Sequence, residues 1–149
     1  MTLFVFVAVL TAVVMEPISA MIHRRIGHGM GWVLHRSHHD GPVAGPELND
    51  VIPAVMALFA IAAFATGVMV SGFSILLPVA TGVTTYGLVY AVVHDLYIHR
   101  RLPLLPKHIA ILEPLKAAHL KHHRTGTGHW GILSRLHEPA STTEPGSND

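Results

Sequence analysis

Three nearly unbroken apolar runs, at residues 3–22, 51–70 and 73–93, constrain this chain of 149 residues more than any other feature. Each can cross a hydrocarbon core of roughly 30 Å at about 1.5 Å per helical residue. Half of the residues are hydrophobic and 13% are charged, the balance of a membrane domain. The expected fold is therefore all-α, an integral membrane helical bundle with three transmembrane helices. No basic segment precedes the first run, whereas Arg24 and Arg25 follow it, so it is read as a retained span and not a cleaved leader. Only Ser71 and Gly72 separate the second and third runs, which predicts a tight hairpin.

Ten of the thirteen histidines form four clusters just beyond these runs. His23 and His28 make an HxxxxH pair, and His94 and His99 repeat it. His35, His38 and His39 make HxxHH, repeated by His119, His122 and His123. Arg24, Arg25, Arg36, Arg100, Arg101, Lys107, Lys121 and Arg124 flank the same ends of the spans, which makes those ends cytoplasmic by the positive-inside rule. All four clusters then lie on one membrane face, as a His-rich metal cap. The chain has no cysteine, which excludes disulfides, thiolate zinc sites, iron–sulfur clusters and cysteine nucleophiles. A formal net charge of +1, with basic residues gathered at span ends, argues against nucleic acid as a partner.

On a helix turning roughly 100° per residue, the three imidazoles of each HxxHH fall within an arc of about 100° and converge on one small volume. A five-residue step turns roughly 140°, so each HxxxxH pair points apart on a regular helix. Either the helix unwinds locally, which Gly27 and Gly29 would ease, or the two rings serve different parts of a binuclear centre. Ten imidazoles exceed the needs of one tetrahedral zinc ion and suffice for two metals of higher coordination number. Imidazole alone does not select among iron, copper, nickel and zinc. His108, His129 and His137 stand outside the pattern and are read as ordinary polar residues.

Five residues are candidates to orient the ligands. Glu16 lies inside the first span, about two turns deeper than His23 on the same face, where an ionisable group is costly and needs a partner. It is read either as an acceptor for an imidazole N–H or proton relay, or as a protonated side chain bonded to a neighbouring helix. Asp95 follows His94 and could hold a ring, as could Asp40 after His39. Glu47 and Asn49 precede the second span, where Asp50 reads as a cap. No catalytic side chain beyond the ligands is singled out. Residues 102–118, interrupted by prolines and charges, are read as an interfacial or capping helix and a candidate fourth span. Residues 40–50 read as a loop, residues 1–138 as one membrane domain, and residues 139–149 as a disordered tail.

With the histidine pattern, Glu16, the stretch HGMGWVLHRSHHD and the following PELND, the chain resembles the bacterial β-carotene 3-hydroxylases. These belong to the fatty acid hydroxylase and sterol desaturase superfamily of membrane di-iron oxygenases. The resemblance runs from about Met15 to His123. It departs from the family pattern at HDLYIHRR, where a glycine usually follows the aspartate, and in TGTGHWGILSRLHEP after His123. The resemblance implies that the ten clustered histidines hold two iron ions, which use O2 to hydroxylate carbon 3 of a carotenoid β-ionone ring. It also implies a ferredoxin-type electron donor and a place in the bacterial inner membrane. Oxygen activation for C–H attack needs a redox-active metal, which agrees with iron and excludes zinc. A fatty acid or sterol hydroxylase, or a carotenoid ketolase, would share the constellation. A His-rich membrane metal transporter is the alternative from another class, but it would place its ligands near the midplane of the spans.

Overall fold

The computed structural model describes residues 1–41 and 45–134. His137, the domain boundary at 138 and the tail expected from Pro139 lie outside the described residues, as does part of the 40–50 loop. Among the described residues there are five α-helices: α1 (Thr2–Ile22), α2 (Trp32–His39), α3 (Val51–Met69), α4 (Leu76–Tyr90) and α5 (Glu113–Thr125). Two π-helical segments, His23–Met30 and Ala91–Ile98, continue α1 and α4, and short 3₁₀ turns cover Leu48–Asp50 and Ala110–Leu112. Among the described residues there is no strand.

Among the described residues, three helical stretches are long and apolar enough to cross a membrane: Thr2–Met30, Leu48–Met69 and Leu76–Ile98. Their outer faces expose Leu3, Phe6, Val13, Leu58, Phe59 and Ile61. Such a surface is stable against lipid and unstable in water, so the chain is an integral membrane protein. α4 is the centre of the bundle, with α1 and α3 both packed on it. Gly82 permits the first of these contacts, since a Cβ there would run into the Ala8 carbonyl and lie 2.6 Å from Thr11 Cβ. Gly67 does the same for the second, facing Leu77 at 2.9 Å. Lipid supplies no hydrophobic force between helices, so close backbone approach at small residues must hold them together.

The hairpin is looser than the sequence suggests. α3 ends at Met69 and α4 begins at Leu76, with residues 70–75 forming the turn around Gly72 at φ 86°. The apolar residues Val70, Phe73 and Ile75 belong to this turn, so hydropathy alone placed it too tightly.

The stretch at 102–118 is not a fourth span. Pro103 and Pro106 lie within an irregular segment, and α-helix resumes only at Glu113, with Pro114 in its first turn. α5 then lies on the cap, where Leu115 packs with Tyr97 and Ile98. The Tyr97 hydroxyl donates to Glu113 Oε1 at 2.5 Å and accepts from the Ile109 N–H at 2.9 Å, fixing the approach to α5. Gly126, left-handed at φ 66°, ends α5 by donating its N–H to the His122 carbonyl.

Candidate metal centre

The π-helical segments resolve the HxxxxH spacing. Where hydrogen bonds step five residues instead of four, residues five apart return to one face. The His99 N–H bonds the His94 carbonyl at 2.9 Å across such a step, and Gly31 bonds Ile26 likewise at 2.8 Å. The rings of His23 and His28 come to 5.1 Å, and those of His94 and His99 to 4.6 Å. Gly29 leaves helical geometry altogether, at φ −113° and ψ −121°, which lets the chain turn into α2.

Nine of the ten clustered imidazoles fall into two groups, each with its ligand atoms within 4.8 Å of one another. One comprises His23, His28, His35, His39 and His122; the other comprises His38, His99, His119 and His123. His94 borders the second, with its Nε2 3.3 Å from His38 Nε2 and its ring 4.7 Å from that of His119. The expected convergence of each HxxHH on one volume is therefore corrected. In α2, His35 and His39 serve one group while His38 crosses to the other. In α5, His119 and His123 stay together and His122 crosses. Adjacent helical residues diverge by roughly 100°, so His38 and His39 cannot aim at the same point. The two groups thus mirror one another, each built from one HxxxxH segment, one i,i+4 pair and one crossing histidine.

The donor set fits metal ions. His38 Nδ1 donates to Glu47 Oε1 at 2.9 Å and His94 Nδ1 to Asp95 Oδ1 at 2.8 Å. Carboxylates accept only, so both Nε2 atoms carry lone pairs, and these face each other at 3.3 Å. Such a contact is repulsive unless a cation lies between. His23 Nδ1 donates to the Trp130 carbonyl at 3.1 Å, leaving its buried Nε2 without a hydrogen-bond partner. Nε2 atoms meet at 3.0 Å for His28 and His122, 3.1 Å for His35 and His39, and 2.9 Å for His119 with both His99 and His123. Metal–imidazole bonds of about 2.1 Å put neighbouring ligands of an octahedron about 3.0 Å apart. Burial, then the surrounding imidazoles, holds His38 far below the ordinary histidine range and lowers His123 to about 2. Burial followed by Arg101 brings His99 to about 4, and burial followed by His39 brings His122 to about 4. At neutral pH these rings are neutral, the state that binds metal.

Between α1 and α3, over α4, runs an apolar cavity of about 460 Å³. Phe64, Ile61 and Ala60 line its outer part, and His23, His35, His38 and His94 close its inner end together with Tyr90. Tyr90 stacks on His94 with ring centroids 4.6 Å apart.

Proteins named beta-carotene hydroxylase are similar in sequence to this chain. It is 40% identical over 119 residues to a protein named beta-carotene hydroxylase from Pseudescherichia vulneris, covering 78% of this chain and 66% of that one. A beta-carotene hydroxylase from Pantoea ananas is 38% identical over 123 residues, 81% of this chain and 67% of its own length. One from Paracoccus sp. (strain PC1) is 37% identical over 126 residues, 83% and 75% of the two chains. The chain belongs to the β-carotene hydroxylase family. It spans about two thirds of the length of the first two relatives. No family model matches the sequence. No solved structure matches it.

In this β-carotene hydroxylase family member, the residues expected to orient ligands divide. Glu47 bonds His38, Asp95 bonds His94, and Asn49 Oδ1 lies 2.7 Å from His35 Nδ1. Glu16 bonds none of the ten clustered imidazoles, which departs from the first expectation. Nor is it bonded only to a neighbouring helix, for its oxygens accept the Tyr86 hydroxyl and the N–H groups of Ile132, Leu133 and Ser134. Asp40 pairs with Arg36 at the surface, and Asp50 caps the turn before α3.

Arg101, read from sequence as a span-end cation, is drawn into the site. Its side chain, 14% exposed, bonds Asp50 at 2.6 and 2.7 Å and approaches Glu47 and Asp95 at 3.9 and 3.8 Å. It thereby neutralises the carboxylates that hold His38 and His94. Trp130 and Thr127 were missed because they act through carbonyls, on His23 and His122, which no side-chain pattern reveals. His108 is exposed beside Glu113, and His129 is buried near His122 in neither group.

Proposed function

We propose that this chain is a membrane di-iron monooxygenase that hydroxylates carbon 3 of carotenoid β-ionone rings, taking β-carotene through β-cryptoxanthin to zeaxanthin. The observation that carries this reading is the apolar cavity within the spans that ends on both histidine groups. In this reading His23, His28, His35, His39 and His122 hold one iron, and His38, His94, His99, His119 and His123 hold the other. Iron held there would supply the redox chemistry for the overall reaction, in which O2, one ring C–H bond, two external electrons and two protons give the ring hydroxyl and one water.

The chain's own residues do the rest. The cavity wall excludes water and orients one ring towards the imidazoles, with Tyr90 packed against His94 at its inner end. Glu47, Asp95, Asn49 and the Trp130 carbonyl hold ring orientations through Nδ1, keeping Nε2 aimed inward. From Ile52 to Phe64 the cavity wall on α3 is about 18 Å long at about 1.5 Å per residue. It takes one end of a carotenoid, whose remainder lies along the lipid-facing helices. The second ring is reached after release and reversed binding.

The histidine face is cytoplasmic in the bacterial inner membrane, and the donor is a ferredoxin-type protein. Arg24, Arg25, Lys121 and Arg124 are exposed on that face and offer positive charge to an acidic donor. Expression in a β-carotene-producing host tests the proposal. Zeaxanthin with two irons per chain supports it; unchanged β-carotene with hydroxylated membrane lipids overturns it in favour of a fatty acid or sterol hydroxylase.

A further inference from the structure

Glu16 lies seven residues before His23, about 10 Å deeper along the first span. Its side chain is nonetheless surrounded by donors. Oε1 accepts the N–H groups of Ile132, Leu133 and Ser134 at 3.0, 3.0 and 2.9 Å and the Ser134 hydroxyl at 2.9 Å. Oε2 accepts the Tyr86 hydroxyl at 2.8 Å and the Leu133 N–H at 3.1 Å. Three consecutive backbone amides turned towards one carboxylate form an anion nest. The residues that form it are non-helical and follow α5 back into the bundle.

Non-helical backbone at membrane depth is stable only when its polar groups are satisfied by protein. Glu16 satisfies these amides, and they in turn offset the cost of an ionisable group within a span. The same segment touches both parts of the site. The Trp130 carbonyl accepts from His23 Nδ1, the Trp130 ring packs within 5.0 Å of those of His28 and His122, and Ile132 lines the cavity. Tyr86 also lines the cavity, so the carboxylate joins its wall on α4 to the strap that orients His23. Gly131 lets the strap close, because a Cβ there would meet the Ser134 carbonyl and lie 2.9 Å from Glu16 Oε1.

We propose that Glu16 is a positioning residue which clamps residues 130–134 across the five-histidine group, and that this clamp, acting through the Trp130 carbonyl, sets His23 for metal binding. The proposal rests on reading that group as a metal site. Two variants approach the clamp from opposite sides: Glu16→Leu removes the acceptor from α1, and Gly131→Ala wedges the strap from its own side while leaving the span untouched. Amide hydrogen exchange is measured on the metal-free full-length protein in detergent, and iron binding is then titrated.

The expected result is at least about tenfold faster exchange at residues 132–134 in both variants, because the amides lose their acceptor. Iron affinity of one of the two sites then falls about 10- to 100-fold, as when a ligand loses its hydrogen-bond partner. Unchanged exchange at 132–134 in Glu16→Leu overturns the clamp, and wild-type affinity at both sites in both variants overturns its link to His23. Exchange in metal-free protein judges the clamp separately from the di-iron reading, which fails instead if wild-type protein binds no iron.

Discussion

The histidines that cross between groups, His38 and His122, carry the sharpest residue-scale predictions. Each belongs by sequence to one cluster and by position to the group completed by another helix. His38→Ala or His122→Ala is expected to lower product formation at least about 100-fold and to reduce bound iron, because under the proposed function each removes a metal ligand from a buried group. His108→Ala, altering an exposed ring outside both groups, leaves both quantities unchanged. Product and metal analysis of the same membrane preparations checks this. The orienting carboxylates form a second test. Asp95→Asn replaces an obligate acceptor on His94 with an amide that can turn either way, and Arg101 loses a nearby negative charge. The expected outcome is about 10- to 100-fold weaker iron binding, read by competition with a chelator.

At the scale of elements, the two π-helical segments bring each HxxxxH pair together. An ordinary helix separates the HxxxxH rings, and sequence reasoning recognised that a local distortion or two centres were needed. Which of these occurs depended on backbone hydrogen bonding, which the spacing does not encode. The structure combines them, since five-residue steps bring each pair together and two groups form. The contact of α1 with α4 is equally specific. Gly82→Leu would force a side chain against the Ala8 backbone and Thr11, neither of which can yield by rotating. A loss of about 3 kcal/mol is expected, seen as a lowered unfolding midpoint in detergent, with Gly87→Ala as a control because its Cβ meets no atom within 4 Å.

For the molecule as a whole, the arrangement of three spans around a cavity places an apolar volume between the lipid-facing surface and the histidine groups. α4 carries the cavity floor, and its π-helical continuation carries His94, so one continuous helix joins the cavity wall to the histidine groups. Gly87 lines that cavity with open space beside it. Gly87→Phe is therefore expected to fill it and to lower hydroxylation of β-carotene about tenfold or more, without changing iron content. Loss of iron together with activity would place the defect in folding instead of substrate access.

The sequence by itself determined the membrane class, the three spans, the single face that carries the histidines and the family pattern, because hydropathy, charge and residue spacing are local properties. It also pointed to Glu47, Asn49 and Asp95 through their nearness in the chain to the clusters. Only the tertiary structure decided how the ten imidazoles divide, where Arg101 goes and what Glu16 holds. Those depend on contacts between residues as far apart as Glu16 and Ser134, or Arg101 and Asp50, which no periodicity records. Glu16 is the clearest case, since an isolated carboxylate within a span signals a missing partner, but besides two hydroxyls its partners are backbone amides whose positions exist only once α5 has brought the chain back to α1.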